Sequence, residues 1–193
     1  ISLRFLANRM QAGEKLIGKK IGVTSDAVMD MLGVRQPDFG FLTHAMRHDE
    51  EMAISGALIQ PRAEGEIAFL LGKDLQGPGV TNDDVLAATE AVMPCFEVVD
   101  SRVKDWQIKI QDTIADNASC GWFALNEAAA VDPAAVDLVN CEMTVRKNGS
   151  VISTGTGAAA MGSPVNCITW LANTLGAFGI TLEHGDIVLS GSL

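Results

Sequence analysis

The chain contains no tyrosine, and histidine occurs only at His44, His48 and His184. Acid/base chemistry must therefore rest on carboxylates, lysine and few other groups. Cysteine is also sparse. Cys95, Cys120, Cys141 and Cys167 stand far apart with no C-x-x-C spacing, which gives no support to a zinc site or a redox pair and fits reduced thiols packed in a core. No cluster of Lys or Arg relieves the formal charge of -10, which argues against nucleic acid or anionic membrane as a partner. No apolar run approaches the roughly 20 residues a membrane span needs, and no signal-peptide pattern opens the chain. The expectation is a soluble, cytoplasmic protein.

With 48% hydrophobic and 20% charged residues over 193 positions, the composition is that of one globular domain with a substantial core. Helix grammar appears in four places: Ile1 to Ala12 before Gly13, "SDAVMDMLG" from a Ser25 cap to Gly33, "DDVLAATEAVM" and "SPVNCITWLANTLGAFG". Thr81 and Asp84 form a capping box for the third, which is expected to run up to Pro94, and Ser163 caps the fourth. Strands are expected in "LIGKKIGVT", "EIAFLL", "CFEVVDSR" and "GDIVLSG", and Asn148-Gly149 is a two-residue hairpin turn between alternating runs. "DWQIKIQDTIADNASCG" has no single period and reads as a long irregular connection. Strands and helices mix without a regular βαβ beat, so the class is α+β with a large sheet or barrel component.

Glu64 and Glu66, in "PRAEGEIAFLL", fall on one face of a strand because side chains alternate with a period of two. At about 5 Å and an effective dielectric near 20, two such charges repel by about 3 kcal/mol. Water relieves this if the face is exposed, and a cation relieves it if the face lines a pocket; the pattern leaves both open. Glu97 is a third acid on an apolar strand, in "PCFEVVD", and burying it unpaired would be costly. Three converging carboxylates would suit a hard divalent cation such as Mg²⁺ or Mn²⁺. Lys20 in "GKKIG" and Asp38 in "RQPDFG" read equally as a surface lysine and a turn former. Asp116, Asn117 and Ser119 offer polar groups in a loop that could also bond to itself. "GTGAAAMGS" precedes a helix but lacks the lysine and spacing of a phosphate loop.

Six stretches, "GKKIGVTS", "LGVRQPDFGFLT", "LIQPRAEGEIAFLL", "PCFEVVDSR", "DWQIKIQDTIADNASCG" and "GSPVNCITWLANTLGAFG", together resemble the hydratase and decarboxylase branch of the fumarylacetoacetate hydrolase superfamily. The resemblance implies a mixed β-barrel or roll of that family's C-terminal-domain type, with peripheral helices. It further implies that Glu64, Glu66 and Glu97 hold Mg²⁺ or Mn²⁺ and that Lys20 and Asp38 serve as acid/base groups, with Asn117, Ser119 and Ser190 as candidate substrate contacts. The expected reaction is metal-dependent hydration of 2-hydroxypenta-2,4-dienoate to 4-hydroxy-2-oxopentanoate, a hydro-lyase step of meta-cleavage catabolism of aromatic compounds. Decarboxylation of 2-oxo-3-hexenedioate is the sibling alternative. A C–C hydrolase would want a His/Glu pair that no histidine here matches, and a subunit acting only by association is a further reading. The resemblance also implies a homo-oligomer and a complex with the pathway decarboxylase. Residues 1–193 are expected to form a single catalytic domain, truncated at both ends. Residues 1–33 would be the tail of a helical portion with the first strand and helix, and 34–193 a β-rich core lacking its last strands.

Overall fold

The computed structural model describes residues 1–25, 28–30, 33–48, 51–54 and 56–193. Helix α1 (Ser2–Gln11) leads into β1 (Leu16–Gly22), β2 (Asp38–Thr43), the short β3 (Arg47–His48) and β4 (Arg62–Leu71). Helix α2 (Asn82–Ala88), β5 (Thr89–Val99), helix α3 (Ile110–Ala115) and β6 (Cys120–Leu125) follow. The chain closes with the hairpin β7 (Glu142–Lys147) and β8 (Ser150–Thr156), helix α4 (Pro164–Gly176) and β9 (Ile187–Leu189).

Among the described residues, seven strands make one mixed sheet in the order β2-β1-β9-β4-β5-β6-β3, which curves as a half-barrel. β9 runs parallel to β1 and antiparallel to β4, so a late segment wedges between two early ones. Both faces of the central strands are covered, which explains why "IAFLL" shows no polar alternation. Phe69, Leu71 and Val188 on the outer face pack against the α4 stripe Val165, Ile168, Leu171 and Leu175. Ala68, Met93, Cys95, Phe123 and Leu189 line the inner face with Leu42 and Met46. Each of the larger side chains contributes about 1.5–3 kcal/mol when fully buried. Glu64 and Glu66 precede Ala68 in the same alternation, so they head the inner face.

Local signals set most elements. Ser163 Oγ accepts from Val165 N with Pro164 in the first turn of α4, and Asn148 (φ 51°) and Gly149 (φ 83°) make the left-handed hairpin turn. The Thr81–Asp84 capping box forms as expected, but α2 ends at Ala88 instead of reaching Pro94. Residues 89–93 are strand, and Pro94 lies inside β5 opposite Ile67. Pairing along the whole of β4 outweighs the helical preference of "TEAVM". The "DWQIKIQDTIADNASCG" connection holds a helix, α3, which sequence periodicity did not show. Of the expected Ser25–Gly33 helix, residues 28–30 are helical and Val28 N donates to Ser25 Oγ; residues 26, 27, 31 and 32 lie outside the described residues. All four cysteines are free, with Cys95, Cys120 and Cys167 buried.

Candidate active site

The β4–β5 register places Glu64 directly opposite Glu97, with Glu66 one pleat further along on the same face. One carboxylate oxygen from each of the three lies within 4.8 Å of the others. Glu97 is fully buried and Glu66 nearly so. Burial first, then the Glu97 charge, raises both Glu64 and Glu66 above the ordinary carboxylate range. Glu66 Oε2 accepts from Gly191 N at 2.9 Å, but Glu66 Oε1 and Glu97 Oε1 have no partner, and Glu97 Oε2 has only the Lys20 ammonium at 3.1 Å. Orphaned buried oxygens of this kind carry a penalty of about 1–3 kcal/mol each or more. An all-oxygen, triply anionic donor set with unspent lone pairs fits a hard divalent cation, which would remove both the repulsion and the orphaned acceptors.

Lys20 reaches this cluster from β1. Its Nζ lies 3.1 Å from Glu97 Oε2 and donates to Ala118 O at 3.1 Å. Burial alone would lower its pKa, yet the charges of Glu97 and then Asp38 outweigh burial and hold the ammonium above its usual range. The β1–β2 register explains how two charged side chains share one wall: Lys20 faces Gly40, and Asp38 faces Gly22. Gly22 leaves the space that Asp38 and the Lys20 ammonium need. A Cβ on Gly22 would stand 2.4 Å from Asp38 Oδ1 and 3.1 Å from Lys20 Nζ. Asp38 is buried, and both its oxygens are without partners.

Gly40 has a different role. A Cβ there would meet Asn117 O at 2.5 Å, so glycine is what allows the loop after α3 to lie against β2. Asn117 Oδ1 accepts from Phe41 N at 2.8 Å, and its Nδ2 donates to Phe41 O at 2.9 Å, capping that strand edge as a neighbouring strand would. Asn117, Ala118 and Ser119 all sit at positive φ, from 51° to 57°. Three successive non-glycine residues in this region are strained by roughly 1–2 kcal/mol each, and the Asn117 clamp holds them while Ala118 O reaches Lys20. The hydrogen bonds of Asn117 are thus spent on the scaffold. Ser119 Oγ and Ser190 Oγ are buried without partners, and Ser190 adjoins the Gly191 N–H that binds Glu66.

A cavity of about 140 Å³ is lined by Lys20, Asp38, Arg62, Glu64, Trp106 and Ser119 among others. A larger cleft of about 400 Å³ lies where the β7–β8 hairpin covers the outer face, against Pro94, Val131, Leu138 and Met143. Its lining is mostly apolar, with Glu66 and Glu142 but no cation, whereas the smaller cavity brings Lys20, Asp38, Arg62 and Glu64 together. Gly22, Gly40, Gly191, Arg62 and Trp106 shape the site without having been singled out from sequence. The alternation of "RAEGE" could have indicated Arg62, which is two residues before Glu64; the glycines gave no signal without the strand register.

Residues 30–193 match the family described as fumarylacetoacetate (FAA) hydrolase C-terminal. A 2-hydroxypent-2,4-dienoate hydratase of Pseudomonas putida is 71% identical over 182 residues, covering 93% of this chain and 82% of the relative. A 2-hydroxyhexa-2,4-dienoate hydratase of Comamonas testosteroni is 60% identical over 196 residues, covering 100% of this chain and 74% of the relative. Among solved structures, 4-oxalocrotonate decarboxylase from Pseudomonas putida G7, complexed with magnesium and adipate, superposes with a TM-score of 0.92 at 32% identity. That alignment covers 100% of this chain and 73% of the decarboxylase.

Proposed function

The chain belongs to the fumarylacetoacetate hydrolase family, and from that premise we propose that it is a hydro-lyase that hydrates 2-hydroxypenta-2,4-dienoate to 4-hydroxy-2-oxopentanoate in meta-cleavage catabolism. The observation that carries the reading is the convergence of Glu64, Glu66 and Glu97 within 4.8 Å, with Lys20 against Glu97 and Asp38 unpartnered in the same cavity. Hydratase relatives at 71% and 60% identity favour hydration over decarboxylation, whose representative stands at 32%.

Glu64, Glu66 and Glu97 would hold the cation, and hard oxygen donors suit Mg²⁺ or Mn²⁺. When bound, that ion supplies Lewis-acid polarisation of the substrate's C2 oxygen and charge stabilisation of the enolate. The chain's own residues manage the protons. Asp38, with two free oxygens, takes the proton of the C2 hydroxyl and returns it at C5, which converts the dienol to the α,β-unsaturated ketone. Water then adds its hydroxyl at C4 and its proton at C3, so the reaction gains one water with no redox change. Lys20, anchored to Glu97 and Ala118 O, keeps a positive charge beside the developing enolate and fixes Glu97. In the same reading the enzyme is cytoplasmic and a homo-oligomer that associates with the pathway decarboxylase. Among the described residues, no helix is long and apolar enough to cross a membrane.

The test is the ultraviolet absorbance of the dienol. With Mg²⁺ or Mn²⁺ present the band should decay and 4-hydroxy-2-oxopentanoate should accumulate. A metal-loaded protein that leaves the dienol intact, or that instead releases CO₂ from 2-oxo-3-hexenedioate, removes the hydratase assignment.

A further inference from the structure

The cavity has a mouth as well as a floor, and the mouth is built around a cation. Arg62 opens β4 two residues before Glu64, on the same face, and lines the same cavity as Lys20 and Asp38. Arg9, Arg35, Arg47 and Arg102 each pair with a carboxylate, and Arg4 and Arg146, which among the described residues do not, lie outside the cavity. Among the described residues Arg62 has no such partner; its guanidinium lies over the Trp106 ring, 4.3 Å from the centroid.

The chain goes to some cost to put that ring there. Asp105 and Trp106 both adopt left-handed backbone, at φ 56° and 54°, an outlier for so bulky a residue. Strain of this kind collects at ligand clamps, where the surroundings over-determine it. Here they do. Trp106 Nε1 donates to Gln60 O at 3.1 Å. Gln60 Nε2 donates to Ser101 O and Val103 O at 3.0 and 2.7 Å. The buried Asp100 carboxylate accepts the backbone N–H groups of Ile59 and Gln60. The loop that delivers Arg62 is thereby fastened to the loop that delivers Trp106, and a side chain of high rotamer entropy is held in one orientation before any ligand arrives.

An anionic substrate needs such a group. Asp38, Glu64, Glu66 and Glu97 crowd the interior, while the Lys20 ammonium is already engaged by Glu97 and Ala118 O. A planar guanidinium with uncommitted N–H groups matches a carboxylate in two parallel hydrogen bonds, which an ammonium cannot do. We propose that Arg62 is the carboxylate-recognition residue of this site and that Trp106, through the ring beneath it, is its positioning residue. The identity of the acid, a 2-hydroxydienoate, rests on the functional reading above; the recognition of a 2-oxo acid carboxylate does not.

The probe is 2-oxopentanoate, an acid with the same carboxylate and C2 oxygen but no C=C bond to which water can add. Its binding to Mg²⁺-loaded protein is measured by calorimetry in wild type, Arg62→Met, Arg62→Lys and Trp106→Leu, beside dienol turnover and Mg²⁺ affinity. Arg62→Met should weaken 2-oxopentanoate about 10- to 100-fold and raise KM in parallel, with kcat changed less than about threefold. Arg62→Lys should recover only part of that loss, and Trp106→Leu should lose several-fold with the guanidinium still present. Mg²⁺ affinity should not fall in Arg62→Met, because removing a cation beside Glu64 cannot weaken cation binding unless the site has collapsed, and it should stay unchanged in Arg62→Lys and Trp106→Leu, which keep the charge. Unchanged 2-oxopentanoate affinity in Arg62→Met, or a loss that vanishes at about 0.3 M KCl as long-range attraction would, overturns the proposal. So does a wild-type protein that does not bind 2-oxopentanoate. A wild type that binds it, loses it on Arg62→Met and still leaves the dienol intact supports the carboxylate anchor while removing the hydratase reading.

Discussion

A methyl group on Gly22 would stand 2.4 Å from Asp38 Oδ1, against the 3.4 Å at which ordinary contact begins. To admit Gly22→Ala, that oxygen must retreat by about 1 Å. Gly22 is not at positive φ, so alanine meets no backbone obstacle, and the atoms in its way, Asp38 Oδ1 foremost and Lys20 Nζ at 3.1 Å, are the free ends of side chains. Rotating Asp38 off its preferred χ angles costs about 0.5–1.5 kcal/mol, which for a domain of this size corresponds to a fall in Tm of only a few degrees. Catalysis is less forgiving: a misplacement of about 1 Å in a reacting group costs on the order of 100-fold in rate, or about 2.7 kcal/mol of transition-state stabilisation. The variant should therefore keep its melting transition within a few degrees and lose about 100-fold in kcat, with KM little changed. Continuous absorbance of the dienol gives the rate and circular dichroism the transition. A kcat within threefold of wild type would refute the placement of Asp38 in proton transfer. A collapse of Tm alongside the rate would show instead that the β1–β2 register had failed.

Metal removal offers an independent check. Glu66→Gln keeps the acceptor for Gly191 N but deletes one of three mutually repelling buried charges, so in chelator the variant should melt above wild type, by about 1–3 kcal/mol. The stabilisation that Mg²⁺ gives wild type should largely disappear, and melts with and without the ion read both effects. Asn117→Ala strands the N–H and C=O of Phe41 and releases three left-handed residues; a loss of about 2–4 kcal/mol in denaturant unfolding is expected. If it unfolds like wild type, the clamp on β2 carries no weight. Gly65→Val would drive a side chain into Met143, whose Sδ lies 2.2 Å from the Cβ position. It should cost about 1–3 kcal/mol by overpacking the hairpin against β4, and an unaltered Tm would contradict the close packing behind the acids.

How much of this could be read in the sequence depended on whether the cause was local. The Asn148-Gly149 turn, the Ser163 cap of α4 and the Thr81 cap of α2 are set by a few adjacent residues, and each forms where its residues indicate. Where α2 stops is a different matter. "TEAVM" continues a plausible helix until β4 is available to pair with it, and Pro94 then sits in a strand. The period of two placed Glu64 and Glu66 on one face, but whether water or a cation faces them could not be read from two residues. The answer required Glu97 to be set opposite Glu64 by a register fixed over the length of two strands. Lys20 and Asp38 read as ordinary in isolation because the signal lies in Gly22, whose missing side chain leaves room for both and which only the β1–β2 register sets beside them. Asn117 was a polar loop residue available to a substrate until its two amide atoms were found on the backbone of Phe41.

By itself, then, the sequence determined what short-range sterics and periodicity control: the caps, the turn, the buried strands, the scarcity of imidazole and phenol that leaves acid/base work to Asp and Lys, and the pairing of Glu64 with Glu66. Only the tertiary structure decided which distant residues share a wall. Strand order, register and the close approaches that glycine permits are properties of the assembled sheet, fixed by burying both its faces at once, and no window of neighbouring residues contains them.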